Sequence, residues 1–111
     1  MDHGSLLRFF QKNFDVDFKA VATTDAAIGE LRQGNVDLVL VNRQFDADGT
    51  EGLDFIDQMK ADAALADVPV MLITNFPEYA EQAVEHGAAP GFGKAELNST
   101  GLVTRLRSYL S

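Results

Sequence analysis

From Val36 to Gly52 the chain reads Val-Asp-Leu-Val-Leu-Val-Asn-Arg-Gln-Phe-Asp-Ala-Asp-Gly-Thr-Glu-Gly, and no other stretch limits its possible folds as much. Leu38 to Val41 is a continuous apolar run of strand length, partly β-branched. Without polar alternation, such a run suits a strand buried on both faces of a parallel sheet. Asn42 closes it. In open α/β sheets the chemistry gathers at the carboxyl ends of strands, so the residue at that end is the first candidate for function.

The rest of the chain alternates around this strand. Residues 6–14 place Leu7, Phe10 and Phe14 at the spacing of one helix face, with Ser5 as N-cap. Asp17 to Ala22 reads as a short strand. Thr24-Asp25 opens a helix that turns Ala27, Ile28 and Leu31 inward and stops at Gly34. Gly52 to Ala64 is a helix with Leu53, Ile56, Met59 and Ala63 on the core side. Val68 to Ile73 is a strand entered through Pro69, and Pro77 suits the first turn of a helix whose stripe is Tyr79, Ala80, Ala83, Val84 and Gly87. A short strand at Gly91-Phe-Gly93 and a last helix with Leu102, Val103, Leu106, Tyr109 and Leu110 complete the chain. Strands alternating with helices over short loops predict a parallel sheet with helices on both faces.

At 111 residues this is one domain, residues 1–111. A net charge of −8 argues against a nucleic-acid partner, since that affinity comes from Lys and Arg neutralising phosphates. The absence of cysteine excludes disulfides and thiolate metal sites. No export signal or membrane-spanning run is visible, so the expected location is cytoplasmic.

The pattern resembles the receiver domain of two-component response regulators, a flavodoxin-like (CheY-like) α/β fold. Val-Asp-Leu-Val-Leu-Val-Asn42 is similar to its third strand, which ends in the phosphate-accepting aspartate. Met71-Leu-Ile-Thr74 is similar to the fourth strand with its hydroxyl, and Gly87 to Ala95, with Lys94, to the fifth strand and its lysine. The resemblance runs from about residue 5 to the end and implies a pocket of Asp2, Asn42, Thr74 and Lys94. It also marks departures. An amide cannot form the acyl phosphate that a carboxylate nucleophile forms, so Asn42 is a degenerate acceptor. Receivers hold Mg²⁺ with two opening acids and the acceptor, whereas here Asp2 alone aligns, which implies weak or absent binding. Asp46 and Asp48 could reach back as substitute acids or simply form a turn. The loop is about two residues longer than the family's, and Phe45 either packs locally or anchors a partner. The aromatic switch position falls on Gly91, and Phe92 points the other way along the strand.

Other motifs fail on spacing. A calcium loop would need ligands where Gln44 and Phe55 stand, and a phosphate-binding loop ending at Gly93-Lys94 would need glycine at Ala88 and a hydroxyl at Ala95. His3 and His86 lack a second metal-ligand residue at helical spacing, and His86 suits a helix C-terminus. No catalytic constellation is present, and a non-enzymatic role is expected.

The family's first strand is missing. If Met1 is the true start, the sheet must close by pairing residues 18–21 directly with Leu38 to Val41, or by borrowing a strand from another molecule, and an open edge of that kind favours self-association. The resemblance therefore implies an N-terminally shortened pseudo-receiver in a two-component or phosphorelay pathway, acting by protein–protein contact. Its expected contacts, by likeness to receiver dimers, are Glu78, Tyr79, Glu81, Arg105 and Tyr109. Two alternatives stand beside it: a receiver with an upstream start that keeps its response to Mg²⁺ and phosphate, and a flavodoxin-like module binding a small molecule at Asn42, Thr74 and Lys94.

Overall fold

A computed structural model describes residues 3–21, 23–44, 50–97 and 99–110, with the side chains of His3, Ser5 and Lys94 outside the description. Among the described residues five α-helices flank a three-stranded parallel sheet: α1 (His3–Asn13), α2 (Thr24–Arg32), β1 (Val39–Asn42), α3 (Gly52–Ala61), β2 (Val70–Ile73), α4 (Pro77–Glu85), β3 (Ala89–Phe92) and α5 (Thr100–Leu110). A single 3-10 turn, Lys94–Glu96, separates β3 from α5. The strand order is β1-β2-β3. β1 pairs with β2 in the register Val39 to Val70 through Asn42 to Ile73.

β2 lies between the other two strands, and all four of its side chains are buried. Alternation sends them to two cores. Val70 and Leu72 join Ala27, Leu31, Phe55, Ile56, Met59 and Ala83, so α2, α3 and α4 cover one face. Met71 and Ile73 join Leu6, Phe9, Phe10, Leu102 and Leu106, so α1 and α5 cover the other. Each fully buried aliphatic side chain contributes on the order of 1.5–3 kcal/mol, which makes this central strand the axis of the fold. The doubly wound, flavodoxin-like architecture expected from the sequence is present.

Local chemistry sets the element ends. Thr23 Oγ1 accepts the Ala26 N–H at 3.2 Å and starts α2; Gly34, at φ +86°, ends it in the left-handed region. Pro77 sits in the first turn of α4. α3 stops at Ala61, three residues earlier than expected, because Asp62 turns the chain: its carbonyl accepts from Leu65 and Ala66, and its Oδ1 from Ala64. Leu65 fills the core position expected for Ala63, which is exposed. On α1 the buried face is Leu6, Phe9 and Phe10, with Leu7 and Phe14 half-buried, a rotation of about one residue from the expected stripe. Val84 leaves the expected stripe of α4 and is 45% exposed.

The main departure concerns residues 17–22. Of these, 17–21 are described, and they form no strand. No described backbone hydrogen bond joins them to β1. Direct pairing with Leu38 to Val41 would require the two backbones to lie about 4.8 Å apart; a cavity of about 540 Å³ separates them instead.

Candidate functional site

The three strands end together. Asn42, the last residue of β1, is level with Ile73 of β2, and Ile73 is level with Phe92 of β3. Beyond that line the Thr74 N–H donates to the Phe92 carbonyl at 3.0 Å, extending the ladder by one bond. Thr74 Oγ1 accepts the Phe76 N–H at 3.1 Å and so closes the turn into α4. That bond uses a lone pair and leaves the hydroxyl proton free to be donated. The loop after β3 is held from both sides: Asn75 Oδ1 accepts the Ala95 N–H at 3.2 Å, and Glu96 Oε2 accepts the Gly93 N–H at 3.0 Å. Lys94 opens the 3-10 turn between these two bonds. Asn42, Thr74 and the backbone of Lys94 thus share one end of the sheet. Asp2, Phe45, Asp46 and Asp48 lie outside the described residues.

The two described side chains of the expected pocket, Asn42 and Thr74, carry no charge. Among the described residues no three His, Asp or Glu side chains come close enough to hold a metal ion. The oxygens that Asn42 and Thr74 bring are an amide and a hydroxyl. Mg²⁺ demands near-octahedral oxygen ligation and is held in proteins largely through carboxylates, so the described donor set does not fit it.

Gly91 explains why the position aligned with the aromatic switch carries no side chain. The register of β3 on β2 is irregular between Met71 and Ile73, and a Cβ on Gly91 would collide with the Leu72 carbonyl oxygen. Backbone approach this close leaves room only for hydrogen. Phe92 is buried beneath the sheet, its ring centroid 6.5 Å from that of Phe10.

The expected contact residues divide. Glu78 and Glu81 stand exposed on α4 and Tyr79 is half-buried there. On α5, Arg105 is exposed and reaches along the surface to β3: its Nη2 donates to the carbonyls of Pro90 at 3.0 Å and Gly91 at 2.7 Å, and Nη1 lies 3.6 Å from Glu96. Tyr109 is half-buried against the α1–α5 core.

Sequence reasoning missed a group beside the strand ends. The guanidinium of Arg43, the residue after Asn42, lies 5.0 Å from the ring centroid of Tyr79 and 4.0 Å from Glu51. The ring of Phe76 meets Tyr79 edge-on at 6.0 Å. Phe76 is 57% exposed. Its position directly before Pro77, at a helix N-cap rather than on the apolar stripe, is the signal that could have placed it on the surface. His86 Nδ1, at the C-cap of α4, lies 2.6 Å from Asp57 Oδ1 of α3. No local pattern announces a pair 29 residues apart.

No protein-family model matches the chain, and no curated protein matches it in sequence. Solved structures do. The signal receiver domain of a DNA-binding response regulator from Colwellia psychrerythraea 34H superposes with a TM-score of 0.76 at 23% identity, covering 93% of this chain and 84% of that one. The Mn²⁺-bound form of the response regulator Rcp1 gives a TM-score of 0.65 at 14% identity, covering 95% and 84%. At these identities the likeness is one of fold, and the fold is that of response-regulator receiver domains. No helix among the described residues is long and apolar enough to cross a membrane.

Proposed function

We propose that this chain is a receiver-like module of two-component or phosphorelay signalling that works by binding another protein and takes no phosphoryl group at Asn42. One observation carries the proposal: at the strand end where a receiver needs a carboxylate nucleophile, β1 ends in an amide. Without a charge-changing event at that site nothing biases one conformation over another, so the binding surface is constitutive. A non-enzymatic role follows from the same chemistry.

α4 is the surface we assign to the partner. The two large apolar side chains that the described residues leave well exposed, Phe76 and Val84, belong to this helix and its N-cap. Glu78 and Glu81 flank them. A partner face with an apolar pocket and Lys or Arg at its rim complements this pattern, since aromatic anchors supply affinity and rim charges supply specificity. Arg105 and Tyr109, engaged within the fold, serve this surface only indirectly.

The test is intact mass after incubation with acetyl phosphate and Mg²⁺. The wild-type chain is expected to gain no phosphoryl group; a stoichiometric gain on the wild type would overturn the proposal. For the surface, the double substitution Phe76→Ser with Val84→Ser should leave thermal stability within about 0.5 kcal/mol, because both side chains are exposed. It should also remove co-purification of the partner from the protein's own cells, and retained co-purification would move the surface elsewhere.

A further inference from the structure

Charge is divided between the two helical layers of this protein. α1 and α5, which cover one face of the sheet, carry Arg8, Lys12, Arg105 and Arg107 and no Asp or Glu. α3 and α4, on the other face, carry Asp54, Asp57, Glu78, Glu81 and Glu85 against a single Lys or Arg, Lys60. The Lys60 ammonium is engaged, donating to the Ala66 carbonyl at 2.9 Å. On α2 the charges are matched more closely: Glu30 pairs with Lys19 and Arg32 with Asp62, each at 2.8 Å. Among the described residues the acids nearest to α1 and α5 in sequence, Asp15 and Glu96, lie beyond the helix ends. In a chain of net charge −8, a helix layer without an acid is the exception.

Local helix electrostatics accounts for part of this division. Lys12 stands in the last turn of α1, and Asp54 and Glu78 stand in the first turns of α3 and α4, where the helix dipole favours those signs. It does not account for Arg8, Glu81 or Glu85. Arg8 lies one turn before Lys12 on the same flank of α1, and like charges at that spacing repel. Glu81 and Glu85 repeat the arrangement on α4, with Glu85 at the end where the dipole opposes an anion. All four side chains are exposed, and none has an ionic partner among the described residues. Each pair therefore weakens its own helix slightly. What the two pairs supply, on opposite faces, is complementarity between one copy of the chain and the next.

We infer that copies of this chain stack face to back, with Arg8 and Lys12 of α1 in one copy set against Glu81 and Glu85 of α4 in another. The spacing within each pair is the same, one helical turn, so two cations meet two carboxylates in register. The two surfaces differ, so the contact is heterologous: each added copy leaves one surface of each kind free, and growth does not stop at a dimer. A transient interface takes about 600 Å² from each partner, about a tenth of this chain's 6531 Å² of surface. Exposed ion pairs contribute little individually, so the contact is weak, with a Kd on the order of 1 mM. The inference does not rest on the α4 surface assigned above to a partner, because the Phe76 and Val84 variant keeps both charged pairs and the two readings fail separately.

The test is sedimentation equilibrium of the intact 111-residue chain at a concentration of about 1 mM. Chains of net charge −8 repel at long range, and about 0.1 M NaCl screens that repulsion beyond about 10 Å while leaving ion pairs at contact. At this salt the average mass is expected to exceed the monomer's and to rise with concentration. At about 1 M NaCl, where the screening length is about 3 Å, it should return to the monomer's. Arg8→Glu with Lys12→Glu should weaken association about tenfold or more, and so should Glu81→Lys with Glu85→Lys, although the second pair of changes brings the net charge closer to zero. The chain with all four changes has the wild-type net charge and should recover the wild-type association. All four positions are exposed, so each variant should keep wild-type helicity by circular dichroism. A monomer under all conditions would overturn the inference, as would failure of the quadruple variant to recover. So would association that persists at high salt or in the Arg8 and Lys12 variant, which would place the contact elsewhere, at the β1 edge for instance.

Discussion

The two outer edges of the sheet are finished differently. At β3, Arg105 reaches from α5 to the carbonyls of Pro90 and Gly91, and Glu96 lies beside its guanidinium. Pro90 offers no N–H to a would-be strand, a device that natural sheets use at edges. At β1, Leu38 and Leu40 face a cavity with apolar walls, and no described side chain caps their backbone groups. Edges are liabilities unless covered, so the contrast marks β3 as a closed margin and β1 as an edge that the described residues leave open. An interior strand is apolar on both faces, which is how Leu38 to Val41 reads.

Substitutions that differ only in which edge they approach sharpen this contrast. Phe92→Ala and Phe10→Ala remove the same ring from the same core, yet Phe10 also lines the cavity and Phe92 does not. The cost of a core truncation rises with the cavity it leaves and falls where neighbours can relax into it. Phe92→Ala is expected to cost about 5 kcal/mol and Phe10→Ala about 3 kcal/mol by urea denaturation. Equal costs would mean that the β1 side is packed as tightly as the β3 side. Next in size is Gly91→Ala, whose Cβ would meet the Leu72 carbonyl oxygen. Backbone cannot move aside as a side chain does, so a loss of about 2–3 kcal/mol is expected, seen as a lower urea midpoint. Arg105→Ala removes two exposed charge-assisted bonds from the β3 edge. Solvent screening limits the loss to about 1 kcal/mol, and with the edge uncapped the variant should self-associate more than the wild type by sedimentation.

Much of the fold was legible in the sequence because local and global preferences agree. The apolar run of β2, Pro77 at the start of α4 and Gly34 after α2 each declare themselves within a few residues. Residues 17–21 did not. With Phe18 and Ala20 on one side and Val21 on the other they satisfy a strand pattern, but a strand also needs a hydrogen-bonded neighbour, and propensity carries no information about one. The early end of α3 turned on the Asp62 side chain bonding to Ala64, which competes with helix only where the chain has room to turn. Of the candidate site, strand-end position was readable for Asn42 and Thr74. The stack of Arg43 on Tyr79 was not, because it joins residues 36 apart in sequence through a loop and a helix start.

One measurement compares the two sides of β1 within a single strand: native-state hydrogen exchange at the amides of Leu40 and Val41. The register that ties Val39 to Pro69 also turns the Val41 N–H toward β2, while the Leu40 N–H faces the cavity. Leu40 is expected to exchange faster than Val41, on the order of a hundredfold, in the protein alone. Equal protection of the two amides would show that Leu40 already has a partner, and β1 would then have no open edge.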